Sequence, residues 1–114
     1  MSPTERSLKH LRDEGFLVCI VEKVIPHCFL RKDAFGFGDL LACNCDRTSR
    51  YFGVWLIQTT SGSNHAARVK KAMALREMTT WLRSGGRFAV LSWRKLKQGW
   101  TPRFEEELLS PNQQ

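Results

Sequence analysis

Long hydrophobic runs are missing from this sequence. The longest unbroken apolar stretch is FLVCIV, residues 16–21, whereas a membrane-spanning helix needs about 20 apolar residues. The N-terminus also lacks the basic-then-apolar pattern of a secretion signal. We therefore expect a soluble, intracellular protein with no membrane partner.

Negative charge is also scarce. The chain has 11 Asp and Glu residues against 18 Lys and Arg, which gives a net charge of +7 and favours a polyanionic partner, nucleic acid foremost. A composition with 42% hydrophobic and 25% charged residues excludes disordered, coiled-coil and collagen-like proteins. The 114 residues predict one small domain over residues 1–114, with a disordered tail from about residue 110.

The cysteine pattern lacks the C-x2-C pairs of zinc ribbons and fingers. Without a secretion signal, reduced thiols are the default for the four cysteines. Zinc is not expected. A zinc cluster of His27, Cys28, Cys43 and Cys45 stays open as an alternative, because the ligand types suit zinc although their spacing does not.

Familiar catalytic motifs are absent as well. The sequence has no G-x-S-x-G, no P-loop and no G-x-G-x-x-G after a strand. A nucleophile pair of Cys19 or Cys28 with His65 stays open, but no feature of the sequence positions it.

The patterns that are present predict an α/β fold. Ser2, Pro3 and Glu5 form the start signature of a first helix, which ends at Gly15. Further elements are predicted as follows: a strand over residues 16–24 covered on both faces, a loop, strands over 37–43 and 51–60, one helix over 64–83, the strand RFAVLSW and an edge strand WTPRFEEELL. The second and third strands should form a hairpin, and the crossover to the fourth predicts a mixed central sheet flanked by helices on both faces.

Polar residues stand at the ends of two predicted core strands. Asp39 follows FGFG at the start of the second strand, where a carboxylate is costly unless it is paired, capped or bound to a metal. Gln58 shares strand parity with Leu56, and Thr60 continues that face, so the hairpin would bring Asp39 and Gln58 together. Their oxygens suit Mg²⁺ or Mn²⁺. The alternatives are an Asp that satisfies turn amides and a buried Gln that hydrogen-bonds its neighbours.

The predicted second helix carries two cations near its start. Arg68 and Lys71 share a stripe with Leu75, Met78 and Leu82 at helical spacing, and they lie beside the end of the third strand. The residues Ser61, Ser63 and Asn64 precede or cap this helix. Together with its free amides they would form a phosphate site. The alternative is two cations extending from a half-buried helix into solvent.

A second basic patch, SWRKLKQGWTPR, mixes Trp93 and Trp100 with cations such as Arg94 and Lys95. Such a surface could follow a nucleic-acid backbone and stack on bases. Two tryptophans that pair across a hairpin would produce the same pattern.

These residues carry a family resemblance. The order αβββαβ, with GFGDLLA on the second strand and GVWLIQTT on the third, resembles the PD-(D/E)xK nuclease superfamily, which includes archaeal-type Holliday junction resolvases and many phage and restriction nucleases. The segments RKDAFGFGDLLA, IQTTSGSNHAARVKK and GRFAVLSWRK are similar to those of short phage-encoded and bacterial proteins. This similarity implies a location in the cytoplasm of a bacterium or of a phage-infected host cell. The resemblance covers roughly residues 8–95 and implies a restriction-endonuclease-like core.

The resemblance also implies roles for single residues. Asp39 matches the metal-binding Asp, Gln58 stands at the D/E position, and Thr60 stands where the catalytic Lys is expected. Gln removes one negative charge from the metal site, and Thr removes a cation that Arg68 or Lys71 could supply. Three residues could provide a further carboxylate: Glu5, which its capping role already explains, Glu22 and Asp33.

The expected function is therefore a metal-dependent endonuclease that acts on duplex or branched DNA. Mg²⁺ or Mn²⁺ would bind Asp39 and Gln58, with Glu22 as a further ligand, and a homodimer would suit cleavage of two strands. Two alternatives stay open: a nuclease-fold module that binds nucleic acid without cleaving it, and a phage-encoded inhibitor of a host nucleic-acid enzyme.

Overall fold

A five-stranded mixed sheet carries the fold in a computed structural model that describes residues 1–27 and 30–110, the side chains of residues 30 and 31 excepted. The elements are α1 (Pro3–Asp13), β1 (Leu17–Ile20), β2 (Lys23–Ile25), β3 (Leu30–Lys32), β4 (Leu40–Asn44), β5 (Gly53–Ser61), a 3-10 turn (Gly62–Asn64), α2 (His65–Met73), α3 (Arg76–Arg83), β6 (Arg87–Leu96) and β7 (Gly99–Glu107). The sheet order is β1-β4-β5-β6-β7, in which β5 and β6 are parallel and the other neighbours antiparallel. The prediction of an α/β fold with a mixed sheet is confirmed.

Side-chain alternation along β5 divides the hydrophobic core between the two faces of the sheet. Ile57 packs in a cluster with Leu11 of α1. Leu56, which points to the opposite face, packs in a second cluster with Met78 of α3. Helices therefore cover both faces, as the sequence predicts.

The first helix begins as its sequence predicts. The Ser2 hydroxyl accepts a hydrogen bond from the Glu5 amide, and the Glu5 carboxylate accepts one from the Ser2 amide. Pro3 occupies the first helical position, where a missing amide hydrogen costs nothing. The capping box therefore fixes the residue at which α1 begins.

The first strand is shorter and more exposed than predicted. β1 lies at the edge of the sheet and pairs with β4 alone, and Leu17 and Ile20 are 77% and 52% exposed. The prediction of a strand over residues 16–24 covered on both faces is therefore wrong. A continuous apolar run is typical of central strands, but here it belongs to an edge strand. Residues 23–25 leave the sheet and form β2, which pairs with β3 where a loop was predicted.

The predicted single helix over residues 64–83 is two helices. The chain turns at Leu75, whose backbone is extended at the start of α3. No glycine or proline marks this break, and tertiary packing explains it: Leu75 contacts the second core cluster and approaches Gly36 of the loop before β4. The core role predicted for Leu75, Met78 and Leu82 is confirmed.

The predicted hairpin and edge strand are confirmed. β4 and β5 are antiparallel neighbours, and β7 is the outermost strand, which accommodates Pro102. None of the helices in the described residues is both long and apolar enough to cross a membrane. The predicted disordered tail lies, apart from Ser110, outside the described residues.

Candidate functional site

A polar cleft of about 540 Å³ opens where β4 begins and β5 ends. Its walls come from the start of α1, the segment after β1, the turn before β4, the end of β5, and α2. The lining residues are Ser2, Pro3, Thr4, Glu22, Asp33, Asp39, Gln58, Thr59, Thr60, Ser61, Asn64, Arg68 and Lys71. The cleft thus brings together most of the residues that the sequence singles out.

Asp39 is held at the floor of this cleft. It is 5% exposed, and its Oδ2 accepts hydrogen bonds from Gln58 Nε2 at 2.7 Å and from the Thr59 amide at 2.9 Å. Gly38 permits this close approach to β5, because a Cβ there would lie 2.8 Å from a methyl group of Leu56. The predicted contact between Asp39 and Gln58 is confirmed.

Gln58 faces Asp39 through its amide nitrogen. It therefore behaves as the buried glutamine that hydrogen-bonds its neighbours, which the sequence left open as an alternative. Its role as a metal ligand through the carbonyl oxygen stays a prediction.

Three carboxylates meet at one side of the cleft. Each of Glu22, Asp33 and Asp39 offers an oxygen, and these oxygens lie within 4.8 Å of one another. Oxygen atoms at such spacing are the ligands that Mg²⁺ and Mn²⁺ prefer. Glu22 directly precedes β2 and Asp33 directly follows β3. Because β2 and β3 pair with Lys23 opposite Lys32, the hairpin brings the two carboxylates together.

The remaining candidate ligands lie elsewhere. The Glu5 carboxylate is engaged in the capping box and does not line the cleft. Within residues 1–27 and 30–110, the group of Glu22, Asp33 and Asp39 is the one cluster with metal-binding spacing, and it includes none of His27, Cys43 and Cys45. Cys28 lies outside the described residues.

The pKa of Asp39 is raised far above its ordinary value, chiefly because the side chain is buried. Burial raises its pKa to about 8; a hydrogen bond with Asp33 and the negative charges of Asp33 and Glu22 act in the same direction, against the lowering effect of the Thr59 amide. A cation bound among the three carboxylates would offset this repulsion and displace the proton from Asp39.

Two cations line the same cleft. Arg68 is half-buried and Lys71 is exposed, both on α2. Across the described part of the chain, neither side chain makes an ion pair or a hydrogen bond. The positions predicted for them, beside Gln58 and Thr60, are confirmed, and their charge is available to an anionic ligand.

The segment before α2 contributes polar groups. The Ser61 hydroxyl accepts from Asn64 Nδ2 at 3.1 Å and lies 3.2 Å from the hydroxyl of Ser63, which does not itself line the cleft. Asn64 occupies the N-cap position of α2, but no side-chain capping bond forms there.

The first turn of α1 is a wall that the sequence did not reveal. The hydroxyls of Thr4 and Thr59 lie 3.2 Å apart and join the start of α1 to β5. This contact depends on the packing of two elements far apart in sequence, and no local pattern indicates it.

Arg94 and Lys95 do not line the cleft. Arg94 lies in a neighbouring groove beside Gly62, and Lys95 Nζ is 6.0 Å from the centre of the Trp100 ring. Trp93 and Trp100 are not cross-strand partners, since Trp93 pairs with Pro102 and Trp100 with Lys95.

His65 is buried and its ring nitrogens contact residues of β6 and β7. Its Nδ1 lies 2.6 Å from the Ser92 hydroxyl and its Nε2 lies 3.3 Å from Glu105 Oε1. Its described partners do not include Cys19, which is exposed on β1. The alternative of a Cys19–His65 nucleophile pair is therefore wrong.

No family model, curated protein or solved structure matches this chain.

Proposed function

We propose that the protein is a metal-dependent endonuclease of the PD-(D/E)xK type that acts on DNA. One cleft carries this proposal, because it contains a cluster of three carboxylates and also two cations, Arg68 and Lys71. The side chains of these two cations have no hydrogen-bond or ion-pair partner among the described residues. The carboxylates suit a divalent cation and the cations suit a phosphate, so the cleft can hold both parts of a phosphodiester-cleaving site. The net charge of +7 favours the same polyanionic substrate.

The arrangement of the fold supports the proposal. Apart from the β2–β3 hairpin and β7, the element order is α1, β1, β4, β5, α2 with α3, and β6. This order is compatible with the αβββαβ order expected of a restriction-endonuclease-like core. Asp39 directly precedes β4, the second core strand, and Gln58 lies on β5, the third. The resemblance assigns metal-binding residues to these two places.

Glu22 and Asp33 would make up for the missing acid at Gln58. With Asp39 they provide three carboxylates for Mg²⁺ or Mn²⁺, which would supply water activation and charge neutralisation when bound. Gln58 then acts as a positioning residue, because its amide holds the Asp39 carboxylate.

Arg68 and Lys71 would make up for the missing Lys at Thr60. Both reach the cleft from α2 and would contact the non-bridging oxygens of the scissile phosphate, where negative charge develops. Ser61 and Asn64, which line the same side, would add hydrogen bonds to the backbone of the DNA.

Cleavage of a labelled duplex and a labelled four-way junction in Mn²⁺, Mg²⁺ or EDTA tests the proposal. We expect cuts that need the metal and that Lys71→Ala reduces. Lys70→Ala is the matched control, because Lys70 is an exposed neighbour on α2 that does not line the cleft. Intact substrate in every metal would contradict the proposal. A two-fold dimer, which we also propose, would appear as paired cuts on opposite strands.

A second candidate is a binding module that has lost cleavage. Gln58 and Thr60, in place of an acid and a lysine, favour it. Its signature would be DNA that is retarded but uncut, equally in EDTA and with the Asp39→Asn variant.

A further inference from the structure

A second pocket, of about 350 Å³, opens on the α1 side of β6 and β7. Unlike the polar cleft, it combines aromatic rings with basic side chains. Its lining includes Arg6, Lys9, His10, Trp93, Trp100 and Pro102.

The two tryptophans of this pocket differ in exposure. Trp93 is 7% exposed, its Nε1 donates to the Ser7 hydroxyl at 2.9 Å, and His10 meets it edge-on with ring centres 5.6 Å apart. Trp100 on β7 is 47% exposed. Trp93 therefore forms the fixed floor of the pocket, whereas about half of the Trp100 side chain is exposed to solvent.

Cations flank the exposed ring. The Arg6 guanidinium lies 3.7 Å from the centre of the Trp100 ring, and Lys95 Nζ lies 6.0 Å from it. Asp13, the acidic residue that lines this pocket, is paired with Lys9 at 2.8 Å. An aromatic surface between cations fits a nucleobase with its phosphate, because bases stack on aromatic and guanidinium planes while cations hold the backbone.

The pocket adjoins the cleft. Ser61, which lines the cleft, is the cross-strand partner of Trp93, and the first turn of α1 lines the cleft just before Arg6. A nucleic-acid strand that leaves the cleft along this side would meet Trp100.

We propose that this pocket binds an unpaired nucleotide, with its base stacked against Trp100 and Arg6 and its phosphate near Lys95. The inference deepens the proposed function, on which it rests for substrate class: the preferred DNA would carry a single-stranded segment beside the duplex. The binding step itself needs neither metal nor cleavage.

Binding of a fluorescent oligo-dT to the full chain in EDTA tests the pocket directly. Loss of one stacked base predicts that Trp100→Ala weakens binding about tenfold. Trp100→Phe, which keeps a ring, should restore most of the affinity. Lys97→Ala is the control for general charge, since Lys97 is exposed and outside the pocket, and blunt-duplex binding should change little with Trp100→Ala.

Three results would contradict the proposed nucleotide pocket. The first is equal oligo-dT binding by Trp100→Ala and wild type. The second is a loss of affinity in Trp100→Ala that is equal for oligo-dT and blunt duplex, and the third is polyglutamate that competes as well as oligo-dT.

Binding of oligo-rU shows whether the sugar matters. If both oligomers bind through Trp100, the result supports recognition of the base and phosphate that they share. The two proposals can also fail separately. Trp100-dependent binding without any metal-dependent cleavage would support the nucleotide pocket and contradict the proposed endonuclease. Cleavage that is equal on blunt and on overhang DNA, and unchanged in Trp100→Ala, would support the endonuclease and contradict the nucleotide pocket.

Discussion

Replacement of Asp39 by asparagine should stabilise the folded protein at pH 8, because the buried carboxyl of Asp39 resists ionisation. Its pKa is raised to about 8, mainly by burial and then by its hydrogen bond with Asp33, whereas the ordinary value is 3.8. Between these values the folded chain keeps a proton that the unfolded chain has lost. Stability is therefore highest at low pH and falls as pH rises towards 8.

The size of the effect follows from the shift. Within this window each pH unit costs up to about 1.4 kcal/mol, so a rise from pH 6 to pH 8 should remove about 2 kcal/mol of stability. For a domain of this size that corresponds to a fall in Tm of roughly 10 °C.

Asp39→Asn should remove this dependence. The asparagine carbonyl can accept from Gln58 and Thr59, while its amide group donates towards Asp33, as protonated Asp39 does. We expect the variant to melt at nearly the same temperature at pH 6 and pH 8, and above wild type at pH 8.

Thermal melts followed by circular dichroism in EDTA at pH 6, 7 and 8 would measure the difference. Asp13→Asn is the control, because Asp13 is an exposed acid that pairs with Lys9 on the surface. A wild-type Tm that does not fall over this range, or an Asp39→Asn variant that is less stable by the same margin at every pH, would refute the reasoning.

Three further predictions concern metal, DNA and packing. Mn²⁺ should raise the wild-type Tm, more at pH 8 than at pH 6, because binding displaces the Asp39 proton; a pH-independent shift would contradict this. Lys71→Ala should weaken duplex binding and flatten its salt dependence by about 0.9 log units per decade of salt, measured by anisotropy, whereas an equal effect of Lys70→Ala would locate the contact outside the cleft. Gly38→Ala should cost about 1 to 3 kcal/mol in urea unfolding, because the added methyl meets the Leu56 side chain at 2.8 Å; wild-type stability would show that β4 and β5 can separate.

The part of the site on β4 and β5 could be predicted from sequence because it depends on local rules. Strand parity places Gln58 and Thr60 on one face, and a hairpin between neighbouring strands brings Asp39 beside Gln58. Helical spacing likewise directs Arg68 and Lys71 towards that end of the sheet.

The rest depends on tertiary structure. The segment PHCFLRKD is typical of a loop, yet its residues Leu30–Lys32 form β3, which pairs with β2 and places Asp33 near Glu22. The break at Leu75 follows from packing against the second core cluster, which overrides a helix-forming sequence. An apolar run cannot indicate that β1 lies at an edge.

The most direct test of the central claim is cleavage of a labelled four-way junction by wild type and by Asp39→Asn, each in Mn²⁺ and in EDTA. We predict product only with wild type in Mn²⁺, and intact junction in the other three reactions. Equal cleavage by Asp39→Asn, or cleavage that persists in EDTA, would contradict a metal-dependent site at the carboxylate cluster.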